Sequence, residues 1–135
     1  MSINFYKDSA KKLVDPCLFS EIAMTHAKKI FDDGNSTTIK GDNKPSQIRK
    51  FYDELVRYND IVKVDKNKFD ECLPLVHMLI PKVAYAHGRK TVTQSFVEFI
   101  GNLVKSINDA KDLSVATQFF ESFVAFYKFY KPKDN

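Results

Sequence analysis

The residues best placed to do chemistry in this chain are cations at helical spacing. In KPSQIRKFYDELVR, residues 44–57, Ile48, Phe51, Tyr52, Leu55 and Val56 form an apolar stripe. Gln47, Arg49, Lys50, Asp53, Glu54 and Arg57 fall on the other side. Lys50 and Arg57 are seven residues apart and so point the same way, about two turns from each other. A helix anchored along one flank and cationic along the other can hold a ribose-phosphate backbone, which is a track of negative charge. The same pattern also describes an ordinary surface helix. In that case Arg49 pairs with Asp53 and Lys50 with Glu54, each pair contributing about 0.2–0.5 kcal/mol. A second set, Lys82, Arg89 and Lys90, surrounds Gly88. Cations at a helix C-terminus are favourable by about 0.3–1 kcal/mol with no ligand at all. A loop rich in N–H groups and flanked by such cations also suits a phosphate.

Nothing comparable points to catalysis or to a metal. His26, His77 and His87 fall on different helices or different turns, and Cys72 to His77 is not a zinc spacing. No base is singled out beside Cys17, Cys72 or a serine, as a nucleophile would need. No histidine follows an arginine at the four-to-six-residue interval of some small helical ribonucleases, and there is no glycine-rich phosphate loop. The expectation is no catalytic residue, no metal and no cofactor.

The elements that must position the cations follow from composition and punctuation. The chain has 135 residues, with four glycines, five prolines, twelve phenylalanines and six tyrosines. That length fits one domain burying about two-thirds of its unfolded surface. Scarce turn signals favour helices over a sandwich or barrel. A net charge of +4 and a pI of about 9.0 permit a polyanionic partner without requiring one. Cys17 and Cys72 read as buried thiols of a reducing cytosol. No signal peptide or membrane span is visible, so a cytoplasmic protein is expected.

The reading in order is an all-α, single antiparallel bundle of about five helices spanning residues 1–135. Residues 1–14 are either a docked arm or a flexible one. Asp15-Pro16 caps and opens a first helix to about Phe31, ending by Gly34, with Lys28 and Lys29 offsetting Asp32 and Asp33 at its C-terminus. Residues 34–43 form a mobile surface loop. The helix of residues 44–57 comes second and ends near Asn59. A third, Lys68 to Ala86, is apolar nearly all round, which places it in the middle of the bundle. Pro74 and Pro81 should bend it or delay its start, and Gly88 should end it in the left-handed conformation. Thr91 and Gln94 form a capping box for a fourth helix carrying Val92, Phe96, Phe99, Ile100, Leu103 and Ile107 inward. A fifth starts near Asp112 or Ser114 and stops before Pro132. Its aromatic residues, Phe119 to Tyr130, are spaced for core rather than for base stacking. They outnumber what one core can cover, which leaves Phe126, Phe129 and Tyr130 as candidates for a subunit interface.

Three motifs together carry a family resemblance: SQIRKFYDEL at 46–55, MLIPKVAYAHGRK at 78–90 and FFESFVAFYKFYKPKD at 119–134. In this order and spacing they resemble the small helical subunit of the type III-A CRISPR effector, the Csm complex. Departures are Pro45, where the family often has threonine, His87 at a usually small position, and Lys131-Pro132 in place of a more glycine-like ending. The resemblance implies a non-catalytic subunit in antiviral defence, present in a few stacked copies beside other Csm subunits. It would hold the guide RNA–target RNA region, chiefly on the target side. Carried onto this chain, the RNA-contacting set is Lys44, Gln47, Arg49, Lys50, Arg57, Lys82, Arg89 and Lys90, recognising shape and charge while base pairing reads sequence. The alternative is a helical interaction module or self-assembling dimer with no nucleic acid role.

Overall fold

The structure is a computed structural model that describes residues 3–8, 10 and 13–134. Within these, six α-helices follow a short hairpin: α1 (Glu21–Gly34), α2 (Pro45–Val64), α3 (Phe69–His77), α4 (Leu79–Gly88), α5 (Gln94–Lys105) and α6 (Ala110–Tyr130). The hairpin pairs β1 (Tyr6–Asp8) with β2 (Leu13–Val14), antiparallel. The all-α bundle is therefore as expected, with this small hairpin added. Ile3, Phe5 and Tyr6 are buried, the Tyr6 hydroxyl donates to the Asp112 carboxylate, and the Ser106 hydroxyl donates to the Ile3 carbonyl.

The centre of the bundle is α6, not the third helix. Nine α6 residues are buried, among them Phe119, Phe120, Phe123 and Tyr127, and α6 packs against both α1 and α2. Phe99 of α5 stacks on Phe123 at 4.5 Å between centroids and meets Phe96, Phe119 and Phe120 at about 6 Å. Such offset and edge contacts each add about 0.5–1.5 kcal/mol beyond area burial.

The expected third helix is two helices that break at Met78, and it lies at the periphery. Pro74 removes one ladder bond in α3, and Pro81 sits in the first turn of α4, where a missing N–H leaves nothing unsatisfied. Leu75, Met78 and Tyr85 are exposed, so the apolar residues of this segment divide between the core and solvent. Gly88 does not supply the left-handed turn. Lys90 does, with φ of +64°, and the Lys90 N–H donates to His87 O while the Thr91 N–H donates to Ala86 O. That pair of bonds is a Schellman ending with lysine where glycine is usual. Thr91 does not form the capping box; its hydroxyl donates to Ala86 O, and Thr93 is the N-cap of α5.

Asp15 accepts from the Cys17 N–H as its proline neighbour predicts, but it opens a 3-10 turn at Pro16–Phe19, and α1 begins only at Glu21. Cys17 is exposed, contrary to expectation, and Cys72 is buried. Lys28–Asp32 and Lys29–Asp33 ion pairs offset the acidic end of α1, at 3.1 and 3.3 Å.

The loop between α1 and α2 ends on a fully buried residue. Asn43, at φ of +50°, donates from Nδ2 to Ile30 O and Thr93 Oγ1, both at 2.9 Å, and accepts at Oδ1 from the Thr93 N–H at 2.7 Å. The Tyr127 hydroxyl donates to its carbonyl at 2.5 Å. One side chain and one peptide thus tie α1, α5 and α6 at the point where α2 begins. Gly41 makes the approach possible: at φ of +107°, a Cβ there would sit 2.5 Å from the Val92 carbonyl.

Candidate nucleic-acid interface

The geometry of α2 is set at both ends of its first turn. Pro45 takes the first helical position, and Lys44, the N-cap residue, has no side-chain acceptor to offer. The missing cap comes from the far end of the chain. Asp134 accepts from the Ser46 N–H at 3.0 Å, and Lys131 Nζ donates to Asp42 O at 3.0 Å, so the C-terminal tail folds back onto the start of α2. That bond, with Lys44 and Lys128 nearby, holds the exposed Asp134 carboxyl below its usual range.

Along α2 the spacing three, four, three places Gln47, Lys50, Glu54 and Arg57 on one stripe. Lys50 and Arg57 are exposed and Gln47 is half-buried. Lys50 makes no ion pair among the described residues. The expected Lys50–Glu54 bridge is absent because Lys82 of α4 takes Glu54 with both carboxylate oxygens, at 2.8 and 3.0 Å. Arg57 lies over the ring of Tyr58 at 5.2 Å and donates to its hydroxyl at 3.1 Å. Arg49 turns toward α6, along a groove that Lys50 also borders. It meets Asp53 at 3.6 Å and the Tyr52 ring at 5.7 Å, and faces that groove of about 610 Å³ between α2 and α6, which Glu121 and Lys128 also line. Lys44 reaches Asp42 only at 4.0 Å.

On α4 a second stripe runs Met78, Lys82, Tyr85 and Arg89, spaced four, three and four. Tyr85 is 68% exposed, and the Arg89 guanidinium sits 5.8 Å from its ring centroid. Lys90 follows, exposed, at the strained Schellman position. The Glu54–Lys82 bridge joins these two stripes into one surface carrying Lys50, Arg57, Lys82, Arg89 and an aromatic face. Sequence reasoning missed both Tyr85 and the bridging role of Glu54. The spacing of Tyr85, four residues before Arg89, was the available signal for the first. Nothing in the sequence signals the second, since the two partners lie 28 residues apart.

The three histidines lie on three helices, α1, α3 and α4: His26 is wedged against Phe99 and Phe119, and His87 Nδ1 is 2.9 Å from Val92 O. Among the described residues no cluster of three or more His, Cys, Asp or Glu could hold a metal ion, and no helix is long and apolar enough to cross a membrane. The three interface candidates divide. Phe126 is half-buried, Tyr130 stacks on Phe31 at 5.7 Å, and Phe129 is 79% exposed.

Against this geometry, a family model described as Csm2 Type III-A matches residues 23–133. Neither a curated protein nor a solved structure matches the chain. The chain belongs to the Csm2 type III-A family. It is a small subunit of the type III-A CRISPR effector, and assembles with other subunits of the Csm complex.

Proposed function

We propose that this member of the Csm2 type III-A family is a non-catalytic, cytoplasmic subunit that grips the backbone of the target RNA, or of the guide–target duplex, in the effector. The observation that carries the reading is the pair of cationic stripes joined by Glu54–Lys82. Lys50, Arg57, Arg89 and Lys90 are all exposed, and of the acids beside them Glu54 is bridged to Lys82 and Asp53 meets Arg49. A surface of this kind attracts phosphates by charge and releases their counterions, without reading base edges. Tyr85 beside Arg89 adds a ring on which an unpaired base could stack, worth about 1–3 kcal/mol in single-strand binders. Lys44, Gln47 and Arg49 belong to the edge of this surface rather than its centre. Other copies of the chain and neighbouring Csm subunits would occupy apolar faces such as that of Phe129.

The test is binding of the purified chain to a single-stranded RNA over a salt series, with the Lys50→Ala/Arg57→Ala double variant alongside. Each phosphate contact steepens the log–log salt slope by about 0.7, so the double variant should be shallower by about 1.4. Both residues are exposed, so the fold should be kept, with the melting temperature lowered only by loss of the Arg57–Tyr58 contact. A slope identical in the two proteins would refute the assignment of this face.

A further inference from the structure

We propose that the far end of the α2–α6 seam is a separate phosphate-binding site, built around Asn59. A groove of about 330 Å³ opens there between the last turns of α2, the 3-10 turn at Lys66–Lys68 and the first turn of α6. Asn59, Lys63, Lys66, Ala110, Lys111 and Ser114 line it.

Asn59 is the anchor of the inference. It is 5% exposed, yet its side-chain amide hydrogen-bonds nothing among the described residues. Every fully enclosed side-chain nitrogen or oxygen among them has a partner. The Asn59 amide therefore keeps a trace of solvent access, and the groove it lines is where that access lies. A nearly buried amide left without a partner costs about 1–3 kcal/mol unless something else satisfies it. Three lysines surround that amide. Lys63 and Lys66 are exposed and make no ion pair among the described residues, and Lys111 lies 5.9 Å from the centroid of the Tyr6 ring.

The carboxylates of these turns have hydrogen-bond partners of their own. Asp65 accepts from the Asn67 N–H, Asp109 from the Asp112 N–H, and Asp112 from the Tyr6 hydroxyl and the Asn108 N–H. Asp60 stays exposed on α2. The positive end of α6 adds to the field of the lysines. Two exposed lysines, Lys63 and Lys66, with one amide and one hydroxyl along a small groove match a phosphate monoester, and Lys111 adds its charge beside them. Such a group carries a charge of about −1.5 to −2 and three strong acceptor oxygens. A single carboxylate would offset less of that charge. The group can arrive as free phosphate, on a nucleotide, or at the phosphorylated end of an RNA strand. The site is distinct from the surface of Lys50, Arg57, Lys82 and Arg89 and does not depend on its role.

The experiment is a titration of the isotope-labelled full chain with inorganic phosphate, uridine monophosphate, and oligouridine with and without a 5′-phosphate, followed by amide and side-chain NH₂ resonances. Saturable movement of the Asn59 NH₂ pair and of the Lys63 and Lys111 amides is expected with at least one phosphomonoester. Preference among the ligands identifies the source. Lys63→Gln with Lys66→Gln should weaken that binding about tenfold or more, with the spectrum otherwise preserved. Asn59→Asp, nearly isosteric, should weaken it similarly. Lys50→Ala/Arg57→Ala should leave it unchanged, which separates this site from the RNA-gripping face. Resonances that stay still in every arm, or that follow chloride equally, overturn the proposal. So does tighter binding at these residues by an acidic peptide than by any phosphate, which would make the site a protein contact.

Discussion

Replacing Asn43 should cost this bundle more than any exposed substitution. Its side chain satisfies the buried Thr93 N–H at the start of α5 and reaches Ile30 O at the end of α1. Alanine removes both bonds and the one to Thr93 Oγ1, leaving a buried donor at about 1–3 kcal/mol and two acceptors with one partner fewer. It also places a residue less tolerant than asparagine at φ of +50°, adding about 1 kcal/mol. The bonds of the Asn43 backbone to Thr91 O and from the Tyr127 hydroxyl survive the change, so the damage is confined to the side chain. The expected loss is about 3–5 kcal/mol, a large share of the roughly 5–15 kcal/mol that holds a domain together. Urea unfolding followed by circular dichroism measures it, with the slope against denaturant unchanged. Asn43→Gly is the control: it loses the same hydrogen bonds but not the backbone conformation, and should be milder than alanine. A loss below about 1 kcal/mol for Asn43→Ala, or glycine proving worse than alanine, would refute the hub.

Two further outcomes are expected. Lys90→Gly should relieve the left-handed strain and raise stability by up to about 1 kcal/mol, while making the RNA salt slope shallower by about 0.7 if the residue contacts a phosphate. Thermal melts and the binding series of the double variant check both, and a destabilised Lys90→Gly would contradict the strain argument. His26 is desolvated against Phe99 and Phe119, which pushes its pKa below 6.5 in the folded chain. The unfolded chain then binds the proton more readily, so the stability contributed by neutral His26 is complete above about pH 6.5 and declines as pH falls below it. His26→Leu should flatten that part of the pH–stability curve; an unaltered curve would show that the imidazole is not the source.

What could be read from residues alone was whatever depends on local spacing. The stripes of α1, α2 and α5, the Lys28–Asp32 and Lys29–Asp33 pairs and the inward Phe119, Phe120 and Phe123 all follow from the helical period. The failures share a cause, which is that a second element decides each of them. Leu75, Met78 and Tyr85 are as apolar as core residues, but α6 already fills the centre, so they face outward. Lys50 and Glu54 have ideal spacing for a pair, yet Lys82 arrives from α4 and takes the carboxylate. Asn43 looked like loop because its partners, Ile30, Thr93 and Tyr127, lie 13 to 84 residues away. Lys90 rather than Gly88 turns the chain because the Schellman bonds to Ala86 O and His87 O fix the left-handed residue two positions after Gly88.

The charge along α2 argues for two points of contact rather than one continuous track. The cations lie toward the ends of the α2–α6 seam, with Arg49, Lys50 and Lys128 at one and Lys63, Lys66 and Lys111 at the other. In the first of these grooves Tyr52 is held above the usual tyrosine range by burial and by Glu121, with Asp53 and Asp60 acting in the same direction and Arg49 against them. Lys50 and Lys63 are thirteen residues apart, or about 20 Å along the helix axis. A phosphate strand laid in the seam would have to cross those carboxylates, at a separation well beyond the roughly 8 Å over which salt leaves exposed charges in contact. A strand running instead over Lys50, Arg57, Lys82 and Arg89 meets Glu54, which Lys82 already neutralises, and Asp53, which Arg49 meets at 3.6 Å. On the proposed reading the strand would leave α2 for α4, and the Asn59 groove would stand off it as a site of its own.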